Sequence, residues 1–185
     1  MKRCFWVDEK SEIYVKYHDE EWGRLVTDDR LLFEFLTLES AQAGLSWITI
    51  LRKRERYRKA FYDFDVNKVA QMTEQDVERL MQDEGIVRNR LKIKSAISNA
   101  KLFIAIQKEF GSFYNYTLSF FPERKPISYQ PKTLKDIQPS TPESDAMSKD
   151  MKKRGFKFFG STICYAYLQA TGFVNDHLVN CICRK

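Results

Sequence analysis

The chain carries only two histidines and four cysteines, and most of them gather at its two ends. Cys4 and His18 stand near the start, His177 and Cys181 near the finish. Neutral imidazole and thiolate are the donors zinc prefers, and two of each complete a closed tetrahedral set. A Cys-x13-His pair joined to a His-x3-Cys pair would tie the first residues to the last, a severe constraint on any fold. Such a metal closes the structure rather than performing chemistry, because a catalytic zinc usually keeps one position open. The spacing predicts His177 and Cys181 one helical turn apart on a single face. Cys183 is an alternative to Cys181, less well aligned on a helix, and Cys164 lies in an apolar segment and reads as core. Plainer readings remain: the pairs match no standard zinc-finger pattern, and a His beside a Cys often only packs. Disulfides would need an oxidising compartment, for which the sequence gives no sign.

A length of 185 residues fits one domain with a real core, or two small ones. The hydrophobic content of 43%, with 14% aromatics, argues against disorder. Met1-Lys2-Arg3-Cys4-Phe5-Trp6 has charge but no apolar run behind it, so no signal peptide is expected. No window approaches the roughly 18 apolar residues of a membrane helix. A cytoplasmic protein with reduced thiols is the expectation. The net charge of +6 biases the partner toward a polyanion. Residues 52–59 form one basic run, and Lys152-Lys153-Arg154 with Lys157 a second, although such runs also make solvated helix faces.

Helical signals dominate. Thr27-Asp28 precedes Leu31, Leu32, Phe35, Leu36 and Leu38 at helical spacing, with Gly44 as a break before Leu45-Ser46-Trp47-Ile48. Thr73-x-x-Asp76 forms a capping box opening a helix that ends at Gly85. A long helix follows to Gly111, another runs from Pro142 to Gly155, and a last covers about 161–171. The five prolines lie between Pro122 and Pro142, which marks a non-helical connection. The expectation is an all-α chain of seven to nine helices, with no repeat and no sheet. Two subdomains are expected within a single unit 1–185. Residues 1–30 plus 112–185 would hold the metal, and 31–111 the middle helices.

Between two of those helices lies Gly85-Ile86-Val87-Arg88-Asn89-Arg90. A short glycine-led turn into a helix N-terminus presents N–H groups to an anion, and Arg88, Arg90, Lys92 and Lys94 would add charge around a phosphate. An ordinary helical corner with solvated arginines is the alternative, and a second glycine usual in such hairpins is missing.

These pieces converge. The chain resembles the DNA-3-methyladenine glycosylase I family of the helix-hairpin-helix glycosylases. The resemblance rests on Arg3-Cys4-x-Trp6, Tyr17-His18-Asp19-x-Glu21-Trp22-Gly23, and Leu38-Glu39-x-x-Gln42-Ala43-Gly44-Leu45-Ser46-Trp47. It continues through Gly85-Ile86-Val87-Arg88, Lys153-Arg154-Gly155-Phe156-Lys157-Phe158 and Val174-Asn175-Asp176-His177. It implies a helix-hairpin-helix DNA glycosylase fold with one structural zinc on Cys4, His18, His177 and Cys181, joining the N- and C-terminal segments. It implies a base pocket at Glu39, Tyr17 and Trp47, walled by Trp6, Tyr14 and Trp22. Gly85, Arg88, Arg90, Lys92 and Lys153 are the expected contacts to the backbone of double-stranded alkylated DNA. A monomer with no membrane partner is expected.

The residue types suit the task. A damaged base must leave the stack, which costs a few kcal/mol. Trp47 would recover part of that by stacking, with cation–π attraction favouring the positively charged 3-methyladenine. Glu39 would accept hydrogen bonds from the adenine edge, and Tyr17 offers a hydroxyl to the same edge. The aspartate that the wider superfamily uses has no evident counterpart, and no lysine stands out as a Schiff-base nucleophile. The implied reaction is therefore monofunctional hydrolysis of the N-glycosidic bond, leaving an abasic site; the sequence does not fix the full substrate range, in which 3-methylguanine could be a weaker second substrate. Two rivals remain: a zinc-stapled DNA-binding module without catalysis, and a zinc hydrolase with an open metal position.

Overall fold

The first helix the chain forms is one its sequence hardly announces. In a computed structural model, which describes residues 2–184, α1 spans Glu12–Glu20 and has no side-chain cap at Ser11. Its inner face is Tyr17 and His18, both buried, so tertiary packing rather than local propensity supports it.

The other principal helices begin and end on legible signals. In α2 (Asp29–Gln42) the Asp28 carboxylate accepts from Leu31 N at 2.9 Å. Gly44, in the left-handed region, turns the chain toward α3 (Trp47–Ala60). After the short α4 (Val66–Ala70), the Thr73/Asp76 capping box opens α5 (Glu74–Met81). Residues 82–89 lead to the Asn89 cap of α6 (Arg90–Phe110), which stops at left-handed Gly111. The short α7 (Phe113–Leu118) follows at once. Pro142 occupies the first turn of α8 (Pro142–Arg154), and left-handed Gly155 ends it. The last helix is α9 (Ser161–Ala170).

The expected absence of strands needs one correction. Ile127 and Ser128 (β1) pair in parallel with Val174 and Asn175 (β2), a two-residue ladder that stitches the proline-rich connection to the C-terminal segment. Nine α-helices remain the framework among the described residues.

One continuous buried cluster runs through α2, α3, α6 and α9, with Leu32, Phe33, Leu36, Phe103 and Leu168 at its centre. Burying side chains of this kind contributes roughly 1.5–3 kcal/mol each. Asn99 of α6 donates to Lys157 O and accepts from Lys157 N, both at 3.0 Å, which fixes the α8–α9 connection on that core. Among the described residues no helix is long and apolar enough to cross a membrane.

Candidate active site

A cavity of about 270 Å³ opens where α1, α2, α3 and α9 meet. Its lining includes all six residues expected of a base pocket: Trp6, Tyr14, Tyr17, Trp22, Glu39 and Trp47. The rings interlock. Tyr17 faces Trp47 with centroids 5.5 Å apart, and Trp6 meets Tyr14 at 5.4 Å and Trp22 at 5.1 Å. Aromatic walls of this density are apolar but present electron-rich faces to a cation.

Glu39 is the anomaly in this cage. It projects from the apolar face of α2 and is buried, and its Oε2 has no hydrogen-bond partner. Burial alone pushes its carboxyl up to about 8. Trp47 Nε1 is likewise buried and unpartnered. A buried acceptor and a buried donor left unmatched beside one cavity each cost about 1–3 kcal/mol, a cost a ligand can recover. Burial also raises the Tyr17 hydroxyl well above its ordinary range, with the Glu39 charge adding to it, so it stays protonated.

Behind the cage lies the cluster of Cys4, His18, His177 and Cys181, all buried, with donor atoms within 4.8 Å of one another. Cys181 Sγ stands 3.4 Å from His18 Nε2 and 3.4 Å from His177 Nδ1, and Cys4 Sγ lies 3.6 Å from His177 Nδ1. A tetrahedral zinc with ordinary bond lengths would hold sulfur and nitrogen about 3.6 Å apart, so the donor set fits such an ion.

The surroundings select the right tautomers. His177 Nε2 donates to Trp22 O at 3.0 Å, leaving Nδ1 for the cluster. His18 Nδ1 donates to Asp19 Oδ1 at 2.7 Å, leaving Nε2. Arg3 grips both oxygens of Asp19 and holds its carboxyl well below the usual range. Burial keeps both imidazoles neutral, pushing His177 down to about 4, and raises the Cys4 thiol to about 12. Gly23 is required here: its φ is +74°, and a Cβ would stand 3.0 Å from the His177 ring.

One detail corrects the sequence reading. His177 and Cys181 do not lie on a helix; they flank a turn in which Cys181 N donates to Leu178 O. The turn is held by the bridge of Lys2 to Cys181 and by Ile182 N donating to Lys2 O, contacts with the far end of the chain. Cys164 is buried core, and Cys183 stands aside, with Sγ 3.5 Å from Asp19 Oδ1.

The methyladenine glycosylase family profile matches residues 6–185. The chain belongs to the methyladenine glycosylase family. It is 51% identical to DNA-3-methyladenine glycosylase 1 of Escherichia coli, over 99% of this chain and 97% of that one. It is 47% identical to the DNA-3-methyladenine glycosylase of Haemophilus influenzae, over 98% and 97%. A crystal structure of a tyrosine-to-phenylalanine variant of 3-methyladenine DNA glycosylase I in complex with 3-methyladenine superposes with a TM-score of 0.95. That protein is 38% identical, with 100% of this chain and 98% of that one covered.

The expected phosphate contacts of this methyladenine glycosylase fare unevenly. Arg88 is half exposed, with only a loose 3.6 Å pair to Glu84, and Lys153 is exposed. Arg90 is committed to Glu74 and Glu78 of α5. Lys92 is turned inward: its Nζ donates to Ala41 O at 2.9 Å and Ala43 O at 2.5 Å, satisfying orphan carbonyls at the end of α2. Gly85 makes room for Arg56, whose Cγ would lie 2.0 Å from an added Cβ, and Arg56 in turn grips Asp83. Within the basic run of 52–59, Arg54 is buried and bonded to Glu21 and Glu34.

The same glycosylase cavity also takes in Phe5, Gln42, Ile137, Ala166 and Gln169, which the sequence reading missed. Gln42 lies three residues after Glu39 and shares its helix face, a signal that was available. The others arrive from distant segments and carried none.

Proposed function

We propose that the chain excises 3-methyladenine from alkylated double-stranded DNA by hydrolysis of the N-glycosidic bond, leaving an abasic site without cutting the sugar backbone. The observation that carries this reading is Glu39, a buried carboxyl with an unpartnered oxygen inside an aromatic cage. The names of the relatives, and the 3-methyladenine held in one neighbour's crystal, support the choice of base.

The flipped base enters between Trp47 and the Trp6–Tyr14–Trp22 wall, where stacking and cation–π attraction offset the cost of leaving the helix. As the cationic base approaches, its charge lowers the affinity of Glu39 for a proton. The resulting carboxylate accepts from the exocyclic amine and stabilises the positive ring. Tyr17 stays protonated and donates or accepts at the same edge. The glycosidic bond to a cationic base is already weak, so selection rather than strong acid catalysis is the main task. Residues 82–89 with α5 and α6 act as the helix-hairpin-helix element on the DNA backbone, with Arg88, held only by its loose pair with Glu84, as one contact and Lys153 as a second. Zinc on Cys4, His18, His177 and Cys181 is structural: four protein donors leave no position for a water, which disfavours a zinc hydrolase.

The test is release of free base from methylated duplex DNA by purified protein without added cofactor. Selective release of 3-methyladenine with 7-methylguanine retained is expected. A folded, metal-loaded protein that releases no base would leave a DNA-binding module instead.

A further inference from the structure

Asp176 is buried beside the metal-type cluster, yet it belongs neither to that cluster nor to the lining of the base cavity. Its carboxylate accepts from the Tyr165 hydroxyl and, at 2.8 Å, from Gln169 Nε2. Gln169 lies one turn beyond Ala166 on α9, and both line the base cavity.

An aspartate carboxylate accepts hydrogen bonds and cannot donate them. The Gln169 amide must therefore turn its NH2 toward Asp176, and the carbonyl oxygen is the atom left for the cavity. Without Asp176 the amide could flip, because its two ends are nearly the same shape. We propose that Gln169, oriented by Asp176, is a second base-reading residue that presents a fixed acceptor to the flipped base. This deepens the 3-methyladenine reading and rests on it.

The chemistry separates the two purines. The exocyclic amine of adenine offers two hydrogens, one for Glu39 from α2 and one for Gln169 from α9. Guanine places its O6 acceptor at that position, where it would face a carbonyl oxygen that cannot turn away. Rejecting a base by leaving polar groups unpaired discriminates more strongly than shape does. Gln169 is then a specificity-determining residue and Asp176 a positioning residue.

The experiment is single-turnover release of 3-methyladenine and 3-methylguanine from methylated duplex DNA by the unaltered chain, Gln169→Leu and Asp176→Asn. Gln169→Leu, at a partly exposed position, should lower 3-methyladenine release roughly tenfold, the size of one good hydrogen bond. Release of 3-methylguanine should hold or rise, so the ratio of the two bases falls. Asp176→Asn frees the amide to flip and should move the ratio the same way, with metal content, measured by atomic absorption, unchanged. An unaltered ratio in Gln169→Leu, or equal loss of both bases, would show that Gln169 only fills the wall and would overturn the proposal. An unaltered chain that releases neither base would instead defeat the reading of the cavity itself.

Discussion

The Trp6 indole, a wall of the base cavity, packs edge-on against the His18 imidazole with ring centroids 5.3 Å apart. Trp22 does the same work from the other side, 4.7 Å from the His177 ring. The residues that would hold a metal and those that would hold a base are thus one packed aromatic body. Whatever loosens the four donors must loosen the cavity.

Metal removal is the first consequence. Chelation, or Cys181→Ser, should cost several kcal/mol and lower the melting temperature by about 10 °C or more, since binding energy at a closed site is folding energy. Base release should disappear together with folded structure rather than before it. Loss of activity in a chain that melts unchanged, followed by calorimetry, would point to a catalytic metal.

Glu39 should make stability depend on pH in an unusual direction. The folded chain keeps the Glu39 proton up to about 8, against an ordinary 4.5. The folded state therefore binds more protons between those limits, so stability is full below about pH 4.5 and declines as pH rises toward 8. At pH 7 the loss is on the order of 3 kcal/mol. Glu39→Gln removes it, and the variant should melt higher than the parent at pH 7 but not at pH 4. For excision the sign reverses: kcat/KM should climb toward pH 8, as the ionised carboxylate becomes available.

Arg54 joins three of the elements that build the cavity. From α3 it bonds Glu34 of α2 at 2.5 Å and Glu21, just beyond α1, at 2.6 Å. Removing one member of a buried ion pair strands the other charge, at about 3–5 kcal/mol. Arg58 also reaches Glu34 and softens this, so Arg54→Ala should cost about 3 kcal/mol in urea denaturation. Arg54→Met combined with Glu34→Gln should recover much of it.

Lys92 and Lys153 should behave differently, although the sequence makes them look alike. Lys153 is exposed, and Lys153→Gln should weaken DNA binding and reduce its salt slope by about 1. Lys92 instead fastens the turn after α2 through Ala41 O and Ala43 O. Lys92→Met should lower excision and stability while leaving the salt slope of DNA binding nearly unchanged.

Much of this architecture was legible because it is local. The Asp28 and Thr73 caps and the Gly111 and Gly155 stops stand where sequence rules put them. The four metal-type donors were legible because His and Cys are scarce, and the cage because its motif residues are distinctive. What escaped is long-range. The turn between His177 and Cys181 takes its shape from Lys2, at the opposite end of the chain. The inward turn of Lys92 depends on carbonyls some fifty positions earlier, and no composition of residues 82–94 reveals it. Gln169 looked like an ordinary polar residue in a C-terminal helix until Asp176 and the cavity were placed around it.

The most direct measurement compares Glu39→Gln with the parent chain in single-turnover excision of 3-methyladenine, alongside binding to duplex DNA carrying a non-cleavable abasic analogue. The change is nearly isosteric; it removes the ability to form a carboxylate against the cationic base and replaces one acceptor oxygen with an NH2 donor. Excision should fall about 100-fold, the scale of one electrostatic stabiliser removed from a dry site, while DNA affinity changes less than about threefold. Equal losses of excision and affinity, or no loss of either, would contradict the placing of base recognition at Glu39.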